Sequence, residues 1–408
     1  MNAKSFAFDH PSAAIDAIAS QLATITESEV VDSCHRRVLA NDVVSDRDSP
    51  AADVSAMDGY AVRLEQLTAD KDLPIAGLAQ AGSPPPTMVT NSVARIFTGA
   101  IVPVDADAVL KREDTEELGD HIRVSQNVID QTNVGEHIRR VGENAAAGSL
   151  VAPAGKLVTP AVMATLANFG ATAAPVKRQV RIVILTTGDE VLPVTATELK
   201  PWQLRNSNQA TIRAVLATHP WIKLVDARHI KDDLDSLKQH LQGALEEADA
   251  IVMTGGVSKG DYDFVPDAIA AVDGQVVFHG LPIRPGKPIL GAATSNGKLI
   301  LGLPGNPVSS AINANRFLVP LLRRIAGVTS WQSTATFATV KHATFKTVPL
   351  HTMLLARHVD DGNVELVPSK GSGDLVALGQ SDGYICLPPS VDPNDSNAIG
   401  PWPFYSWS

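Results

Sequence analysis

The sequence has few cysteines, no long apolar run and no excess of basic residues, and each absence excludes a class of protein. Cys34 and Cys386 are the only two cysteines in 408 residues and belong to no CxxC or Cys/His cluster, which argues against a disulfide framework and a structural zinc site. The start of the chain has no apolar signal-peptide core, and no run of about 18 apolar residues occurs anywhere. The net charge of -10 argues against nucleic acid as a main partner. We therefore expect a soluble, cytoplasmic protein without a membrane segment.

The most informative stretch that is present is DAIVMTGGVSKGDYDF, residues 249–264. It runs from a short apolar segment, typical of a buried parallel strand, into a loop with glycines, a serine, a lysine and two aspartates. Glycines directly after such a strand allow backbone N–H groups to turn toward an anion. The sequence therefore predicts chemistry at the carboxyl end of this strand.

Two more loops of the same kind occur within about 150 residues, which is a typical domain length. The apolar run VRIVIL (180–185) precedes TTGDE (186–190), and KLIL (298–301) precedes GLPGNPVSS (302–310). Segments with helical apolar spacing separate the strands. This alternation predicts a doubly wound parallel sheet whose ligand lies outside the carboxyl ends of the strands, so that one cleft collects the three loops.

None of the three loops is a nucleotide-binding fingerprint. The loop at 255–260 lacks the GxxxxGK[ST] spacing, and the loop at 302–309 is not GxGxxG, so the glycines alone do not indicate ATP or NAD. Each loop taken singly could be an ordinary tight turn. Four carboxylates in these loops make that interpretation weaker: Asp189, Glu190, Asp261 and Asp263.

The remaining segments predict further small domains around the sheet, within the two to four domains that 408 residues allow. Residues 11–25 have helical apolar spacing with Ser12 as N-cap, and this helix could pack on a partner subunit as readily as on its own chain. Residues 63–142 alternate short β-type runs with Pro/Gly turns, and AVMATLANFG reads as a helix that stops at Gly170. Residues 331–408 read as a small all-β domain.

Eight stretches, in a fixed order and spacing from about residue 10 to 390, resemble the MoeA/gephyrin-E family of molybdopterin molybdenumtransferases. No single tetrapeptide decides the resemblance, but the ordered set is highly specific. The matching stretches are SAMDGYAV at 55–62, TGAIVPVDADAV at 98–109, RRVGEN at 139–144, TTGDEV at 186–191, TGGVSKGDYDFV at 254–265, RPGKP at 284–288, GLPGNPVS at 302–309 and GSGDLVALGQSDGYICLPP at 371–389.

The resemblance implies four domains and a homodimer with a shared active site. The domains are an elongated discontinuous domain (1–45 and 143–178), a β-rich insertion (46–142), an α/β molybdopterin-binding domain (179–328) and a C-terminal β-barrel (329–408). The cleft is formed by the α/β domain of one chain and the insertion of the other. Contacts with a molybdopterin adenylyltransferase and with molybdoenzymes are also implied.

The reaction implied by the resemblance inserts molybdenum from molybdate into molybdopterin, with hydrolysis of adenylated molybdopterin in the presence of Mg²⁺. The implied catalytic residues are Asp58, Glu190, Asp263, Arg284 and Lys287. The implied pterin- and phosphate-binding residues are Thr187, Gly188, Gly255, Gly256, Ser258, Pro304, Gly305, Asn306 and Ser309. The implied magnesium ligands are Asp189, Glu190, Asp261 and Asp263.

The chemistry of these residue types suits that reaction. Glycine loops and helix N-termini bind a pyrophosphate through backbone N–H groups. Molybdate is a second dianion, so Arg284 and Lys287, with help from Lys259, would offset its repulsion from the phosphates. Carboxylates fit such a cleft only with a hard cation, because Mg²⁺ takes oxygen ligands from one or two carboxylates plus phosphate. One carboxylate could position the water that attacks phosphorus.

Several of these residues also have ordinary structural interpretations. Asp58 before Gly59 can be a turn aspartate, and Lys287 can be a solvated turn lysine. Asp232 and Asp233 can be helix-capping residues or the acidic position that the family has near this point.

The sequence departs from the family pattern at three places. Asn144 stands where many members have an aspartate, and Gly280 stands where some have a lysine, which leaves the local charge balance similar. The tail after Pro389 follows no family pattern.

Two other functions are compatible with the same fold. One is a non-catalytic scaffold that anchors a partner, for which the acidic loop residues would be useless. The other is a different pterin or nucleotide hydrolase, against which SAMDGYAV and the C-terminal β domain argue. The sequence does not separate molybdenum from tungsten, because the two oxyanions have nearly the same size and charge.

Overall fold

The structure, a computed structural model, describes residues 6–256, 264–342, 344–360 and 362–407. Four predicted site residues lie outside these ranges: Ser258, Lys259, Asp261 and Asp263. The chain folds as two compact units, the first comprising residues 1–41, 154–160 and 173–408 and the second residues 42–153 and 161–172. None of the described helices combines the length and the apolar character that a membrane crossing needs.

A six-stranded sheet forms the centre of the first unit. Its strands, in spatial order, are Ile222–Ile230, Val180–Thr187, Ala250–Thr254, Leu299–Leu303, Leu290–Thr294 and Gly274–His279. The first four are parallel and include all three strands that the sequence predicts. The fifth strand, Leu290–Thr294, is antiparallel to both of its neighbours, which the sequence did not indicate, so Gly274–His279 runs in the same direction as the first four. The carboxyl ends of three neighbouring parallel strands therefore lie at one edge, where a doubly wound sheet binds its ligand.

Helices cover both faces of this sheet because the buried strands are apolar on both sides. Along Val180–Thr187, Ile182 and Ile184 face one core, and Val183 and Leu185 face the other. The helices are Pro11–Ala19, Ser207–Ala217, Pro307–Asn313 and Val319–Ile325 on the first face, and Leu234–Glu247 and Val265–Ala271 on the second. Ala314–Leu318 is a π-helical turn, followed closely by Pro320.

The first helix differs from the prediction in length, cap and partner. It spans Pro11–Ala19 rather than 11–25, and the side chain of His10, not Ser12, accepts the hydrogen bond of the first turn. Ile15 and Ile18 are buried in the core of their own chain. The alternative of packing on a partner subunit is therefore not supported for the apolar face of this helix.

A closed five-stranded barrel forms the C-terminal part of the first unit, as predicted for an all-β region. Its strands are Thr336–Val340, Asn363–Leu366, His351–Asp360, Gly383–Leu387 and Trp402–Ser406, in ring order. The short strand Ile283–Arg284 pairs in parallel with the start of His351–Asp360. Smaller elements are the helix Leu375–Gly379, the 3-10 turn Ser396–Ile399, and the strand pairs Ser28–Glu29 with Val176–Lys177 and Val191–Leu192 with Leu204–Arg205.

The second unit is β-rich, as predicted. Its main sheet contains Ala108–Lys111, Gly59–Val62, Val93–Ile96, Leu73–Ala79, His121–Arg123 and Glu116–Glu117, in spatial order. Two further pairs join Ile138–Arg139 with Val54–Ser55 and Leu150–Ala152 with Val43–Val44. The helices are Gln126–Gln131 and Pro160–Asn168, with 3-10 turns at Leu64–Gln66 and Arg112–Asp114. Gly170, at a φ of +67°, follows the second helix where the sequence predicts its stop.

Candidate functional site

Three glycine-containing loops meet at the carboxyl edge of the central sheet. A Cβ atom added to Gly255 would lie 2.5 Å from the Thr187 hydroxyl oxygen, and one added to Gly305 would lie 3.9 Å from the Cα of Gly255. Gly255 and Gly256 have φ values of +93° and +64°, in the left-handed region that favours glycine. The predicted convergence of the three loops is therefore present, and glycine at 255 is required by both conformation and space.

Two asparagines at the start of the helix Ser207–Ala217 hold these loops together. The Asn206 amide donates to the Thr186 hydroxyl at 2.9 Å, while its carbonyl oxygen accepts the N–H of Gln209 and caps the helix. Asn208 donates to the carbonyl oxygen of Gly305 at 2.8 Å. The helix thus fastens the first loop to the third, a role that we did not predict for either asparagine.

The side-chain oxygens around this edge include several buried atoms that have no hydrogen-bond partner among the residues that the structure describes. They are Thr187 Oγ1, Asn208 Oδ1, Ser310 Oγ and Asn313 Oδ1. A buried polar atom without a partner costs free energy, and such atoms commonly have a functional role or an unplaced water. Their concentration next to the three loops marks this edge as a place where a polar ligand can be bound.

The loop after Val180–Thr187 carries two exposed carboxylates, Asp189 and Glu190. Glu190 folds back over the loop, since a Cβ atom on Gly188 would lie 2.9 Å from Glu190 Oε2. Within the described ranges, no three His, Cys, Asp or Glu side chains are grouped closely enough to hold a metal ion. The two described carboxylates nevertheless suit Mg²⁺, which takes one or two protein carboxylates and completes its shell with phosphate and water.

The helix that follows GLPGNPVS offers fewer N–H groups than a free helix N-terminus. Pro307 has no N–H, and the N–H of Val308 donates to the carbonyl oxygen of Ser372 at 3.0 Å. Pro304 and Ser309 are buried, whereas Gly305 and Asn306 are exposed. An anion at this loop would therefore contact Gly305 and Asn306 before the first helical turn.

The RPGKP turn presents both of its cations to solvent. Arg284 ends a short strand paired with the barrel, and Lys287 is exposed with its ammonium nitrogen 5.4 Å from the ring centre of Phe6. Gly280 has a φ of +89°. Some members of the family that this sequence resembles have lysine at this position. Its backbone conformation favours glycine, so this departure is linked to a local turn geometry and not only to charge.

Gly286, at the centre of this turn, touches the amide of Asn313. Gly286 has a φ of +103°, and a Cβ atom there would lie only 2.0 Å from Asn313 Nδ2. Asn313 is fully buried and donates from Nδ2 to the carbonyl oxygen of Ser309 at 2.7 Å. Asn313, the last residue of the helix Pro307–Asn313, thus holds the RPGKP turn against that helix. Sequence reasoning missed it because nothing local distinguishes Asn313 from other helical asparagines.

In the second unit, Asp58 is an exposed carboxylate held by one residue. The backbone N–H and the hydroxyl of Thr98 both donate to Asp58 Oδ1 at 2.7 Å. These hydrogen bonds, the backbone one first, lower the pKa of Asp58. Gly59 is confined by the neighbouring strand, since a Cβ atom would lie 1.8 Å from the carbonyl oxygen of Leu110. Asp58 is therefore kept ionised at neutral pH, directly before the strand Gly59–Val62.

The paired arginines of the same unit show what the Asn144 departure changes. The Arg139 guanidinium donates to the side-chain carbonyl of Asn144 at 2.6 Å and to Glu143 at 3.3 Å. Arg140 pairs with Asp53 at 2.5 Å. An amide oxygen accepts the same hydrogen bond that a carboxylate would, so the contact with Arg139 is kept and only one charge is lost.

The two acids after the strand Ile222–Ile230 have different positions. Asp233 is the N-cap of Leu234–Glu247, accepting the N–H of Ser236 at 2.8 Å. Asp232 is exposed and, like Asp233, lines a small depression beside Thr187 and Gly256. The capping interpretation therefore holds for Asp233.

Comparison with known proteins matches the two halves of the chain to two family models. Residues 10–170 match the family model described as "MoeA N-terminal region (domain I and II)", and residues 183–324 match "Probable molybdopterin binding domain". Among solved structures, a molybdopterin biosynthesis MoeA protein from Pyrococcus horikoshii is 27% identical, with a TM-score of 0.69 over 93% of this chain and 95% of that one. A second structure from that organism, 23% identical with a TM-score of 0.77, shares the fold.

Curated relatives carry one functional name. The molybdopterin molybdenumtransferase of Haemophilus influenzae is 32% identical over 78% of this chain and 77% of its own. That of Synechococcus elongatus is 32% identical over 87% of this chain and 89% of its own. With the loop geometry, these matches show that the chain belongs to the molybdopterin molybdenumtransferase family, whose members are enzymes of molybdenum cofactor biosynthesis.

Proposed function

We propose that the three converging loops bind adenylated molybdopterin and molybdate, and that the chain hydrolyses the adenylate as it inserts molybdenum into the pterin. Family membership makes the chain a molybdopterin molybdenumtransferase and favours this reading over a scaffold or another hydrolase. The observation that carries the site is the close approach of Thr187, Gly255 and Gly305, with Asn208 bound to the third loop. Loops that meet so closely can contact one ligand together.

The pyrophosphate of the substrate is assigned to the glycine loops. Gly188, Gly255 and Gly256 have φ values between +64° and +126°, so their peptide groups adopt orientations that other residues rarely allow. Such conformations can direct N–H groups at a phosphate without intervening side chains. Because the Val308 N–H is already bound to Ser372, the third loop contributes Gly305, Asn306 and the buried Ser309 rather than an open helix N-terminus. Ser258 and Pro304 belong to the same proposed set.

The molybdate dianion is assigned to Arg284 and Lys287. Both side chains are exposed on one turn, which Asn313 connects to the phosphate-binding loop. Two cations there offset the repulsion between molybdate and the phosphates, which would otherwise oppose simultaneous binding.

The carboxylates are assigned to Mg²⁺ and to water. Asp189 and Glu190 are exposed at the first loop, and Asp261 and Asp263 complete the proposed ligand set from outside the described residues. When bound, Mg²⁺ supplies charge neutralisation at the phosphates. Glu190 is assigned to orient and deprotonate a water that attacks phosphorus, which releases the adenylate, and its position over Gly188 supports this role.

The assembly around this site is proposed from the family resemblance. We propose the homodimer, the shared site in which Asp58 serves the partner chain, the four domain boundaries, the cytoplasmic location, and contacts with a molybdopterin adenylyltransferase and molybdoenzymes. The exposed, ionised carboxylate of Asp58 supports a role outside its own turn.

Removing the Lys287 cation tests whether molybdate and the substrate phosphates occupy separate positions. Lys287→Ala should raise the molybdate concentration needed for half-maximal turnover tenfold to hundredfold, because one charge-assisted contact contributes about 1.5 to 3 kcal/mol. Binding of adenylated molybdopterin should stay near the wild-type level, and high molybdate should restore turnover. Steady-state kinetics at varied molybdate gives the first quantity, and calorimetry with the pterin gives the second.

Two control variants make this test specific. Lys223→Ala removes an exposed lysine at the amino end of the parallel strand Ile222–Ile230 and should change neither quantity. Phe6→Leu removes the ring near Lys287 without removing the charge and should leave the molybdate dependence unchanged. A loss of pterin affinity in Lys287→Ala with unchanged molybdate dependence would reverse the proposed positions of the two anions.

A further inference from the structure

Residues 191–206 connect the loop TTGDE (186–190) to the helix Ser207–Ala217. This connection begins and ends at the proposed site. Its two short strands, Val191–Leu192 and Leu204–Arg205, pair in parallel. The N–H of Leu204 donates to the carbonyl oxygen of Glu190 at 2.9 Å, which ties the end of the connection to the acidic loop. Asn208, at the start of the helix, holds Gly305. Loops positioned this way by a rigid scaffold commonly carry binding residues.

This connection exposes a large aromatic side chain. Trp202 is 67% exposed, whereas Trp221 is 4% exposed and the other three tryptophans are partly buried. Val194 and Leu204 beside it in the connection are 53% and 59% exposed. A single exposed apolar side chain is ordinary, but several large ones in one short connection are a common mark of a ligand-binding surface.

Cationic side chains accompany this indole. The Lys200 ammonium lies 5.4 Å from the centre of a Trp202 ring, and Arg205 is fixed by a hydrogen bond from Nε to the carbonyl oxygen of Ala196 at 2.9 Å. Both side chains are exposed. An aromatic face with neighbouring cations matches a ligand that combines a flat ring with phosphates.

We propose that Trp202 is the stacking platform for the purine base of the adenylated substrate, with Lys200 and Arg205 beside its phosphate. The inference rests on the proposed function of the loops and adds to it the position of the base. A protein partner is disfavoured because three apolar side chains are far fewer than the roughly 20 to 30 residues a side of a stable interface. The direct continuity with Glu190 favours the substrate itself.

The experiment uses AMP as the probe and tryptophan fluorescence as the signal. AMP should quench the emission of the wild-type protein, and Trp202→Phe should lose the quenching while calorimetry shows AMP binding near the wild-type level. Trp202→Ala should bind AMP roughly tenfold more weakly, because a base–aromatic stack is removed. Ribose 5-phosphate, which lacks the base, should bind both variants and the wild type alike.

The control is Trp402→Phe, since Trp402 is in the barrel and donates to the carbonyl oxygen of Ala398 at 2.9 Å. It should keep the AMP-dependent quenching.

If Trp202→Ala binds AMP like the wild type and turns over normally, the base lies elsewhere and the proposed function stands without this inference. If the wild-type protein neither binds AMP nor turns over adenylated molybdopterin, the proposed function itself is wrong. A lower molecular mass of Trp202→Ala in light scattering would show a protein contact instead and overturn the proposal.

Discussion

At the scale of single residues, the contact between Gly286 and Asn313 shows how one glycine can fix the position of two cations. Arg284 and Lys287 flank Gly286, and the Asn313 amide occupies the space where any larger residue would place its Cβ. The same amide donates to the carbonyl oxygen of Ser309, in the helix Pro307–Asn313. The separation between the proposed molybdate and phosphate positions therefore depends on a contact that involves no charged atom.

We predict opposite effects of Asn313→Ala in two backgrounds. In the wild type it should lower the thermal midpoint, because about 0.5 to 1.5 kcal/mol is lost with the hydrogen bond to Ser309. Gly286→Ala should lower it more, through strain at positive φ and overlap with the amide. In that background Asn313→Ala should raise the midpoint, because it removes the overlap. Thermal unfolding of the four proteins gives the comparison.

The matched control for this cycle is Asn315→Ala, two residues further along the same helical segment. Asn315 bonds to Tyr384 and to the carbonyl oxygen of Ser406, away from the RPGKP turn. It should lower the midpoint equally in both backgrounds. Additive effects for Asn313→Ala and Gly286→Ala would contradict the contact.

At the scale of elements, the helix Leu234–Glu247 depends on the side chain of its N-cap residue, Asp233. Asp233 accepts the Ser236 N–H, which satisfies one of the free donors of the first turn. Asp232 lies one residue earlier and lines the depression beside Thr187 and Gly256. Both aspartates therefore line the depression, and Asp233 also caps the helix.

We predict that Asp233→Ala lowers the free energy of unfolding by about 1 kcal/mol, the usual contribution of a lost N-cap. Asp233→Ser, which keeps a capping oxygen, should recover most of it. Asp232→Ala should change stability by less than about 0.5 kcal/mol but lower turnover, since Asp232 is exposed and lines the depression beside the site loops. Urea unfolding and steady-state kinetics measure the two effects. Normal turnover in Asp232→Ala would assign the family's acidic position elsewhere.

At the scale of the whole molecule, oligomeric state decides whether one chain contains a complete site. The apolar face of the first helix is used within its own chain, so this helix no longer argues for a dimer. The argument that remains is the family resemblance together with the exposed, ionised Asp58. C2 pairing is the commonest assembly and allows residues of two chains to serve one site.

We predict that light scattering at micromolar concentration gives twice the chain mass of 43.1 kDa. We also predict complementation: Asp58→Asn and Lys287→Ala proteins, each inactive at low molybdate, should regain activity when unfolded and refolded together. A mixed dimer then has one site with both defects and one with none. Two variants that stay inactive after mixing, although they form mixed dimers, would show that each chain contains its own site.

The sequence by itself determined the parts of this protein that depend on short-range patterns. Apolar runs followed by glycine loops predicted three of the parallel strands and the edge where they end, because burial on both faces and tight turns leave a local signature. The β-rich character of residues 63–142 and 331–408 was predicted from period-2 runs for the same reason. The ordered motifs also indicated the family, which the comparisons confirmed.

Only the tertiary structure decided the contacts between distant residues. The strand Leu290–Thr294 resembles other apolar runs, and its direction, opposite to that of the other five strands, is set by pairing in the sheet. Asn208 reaches Gly305 across 97 positions, and Asn313 meets Gly286 across two intervening strands, which no local periodicity encodes. The end of the first helix at Ala19 is likewise decided by packing, since Leu22 and Ile25 stay buried after the helix stops. Local patterns report which face of an element is buried, but the partner that covers it is chosen by the folded chain as a whole.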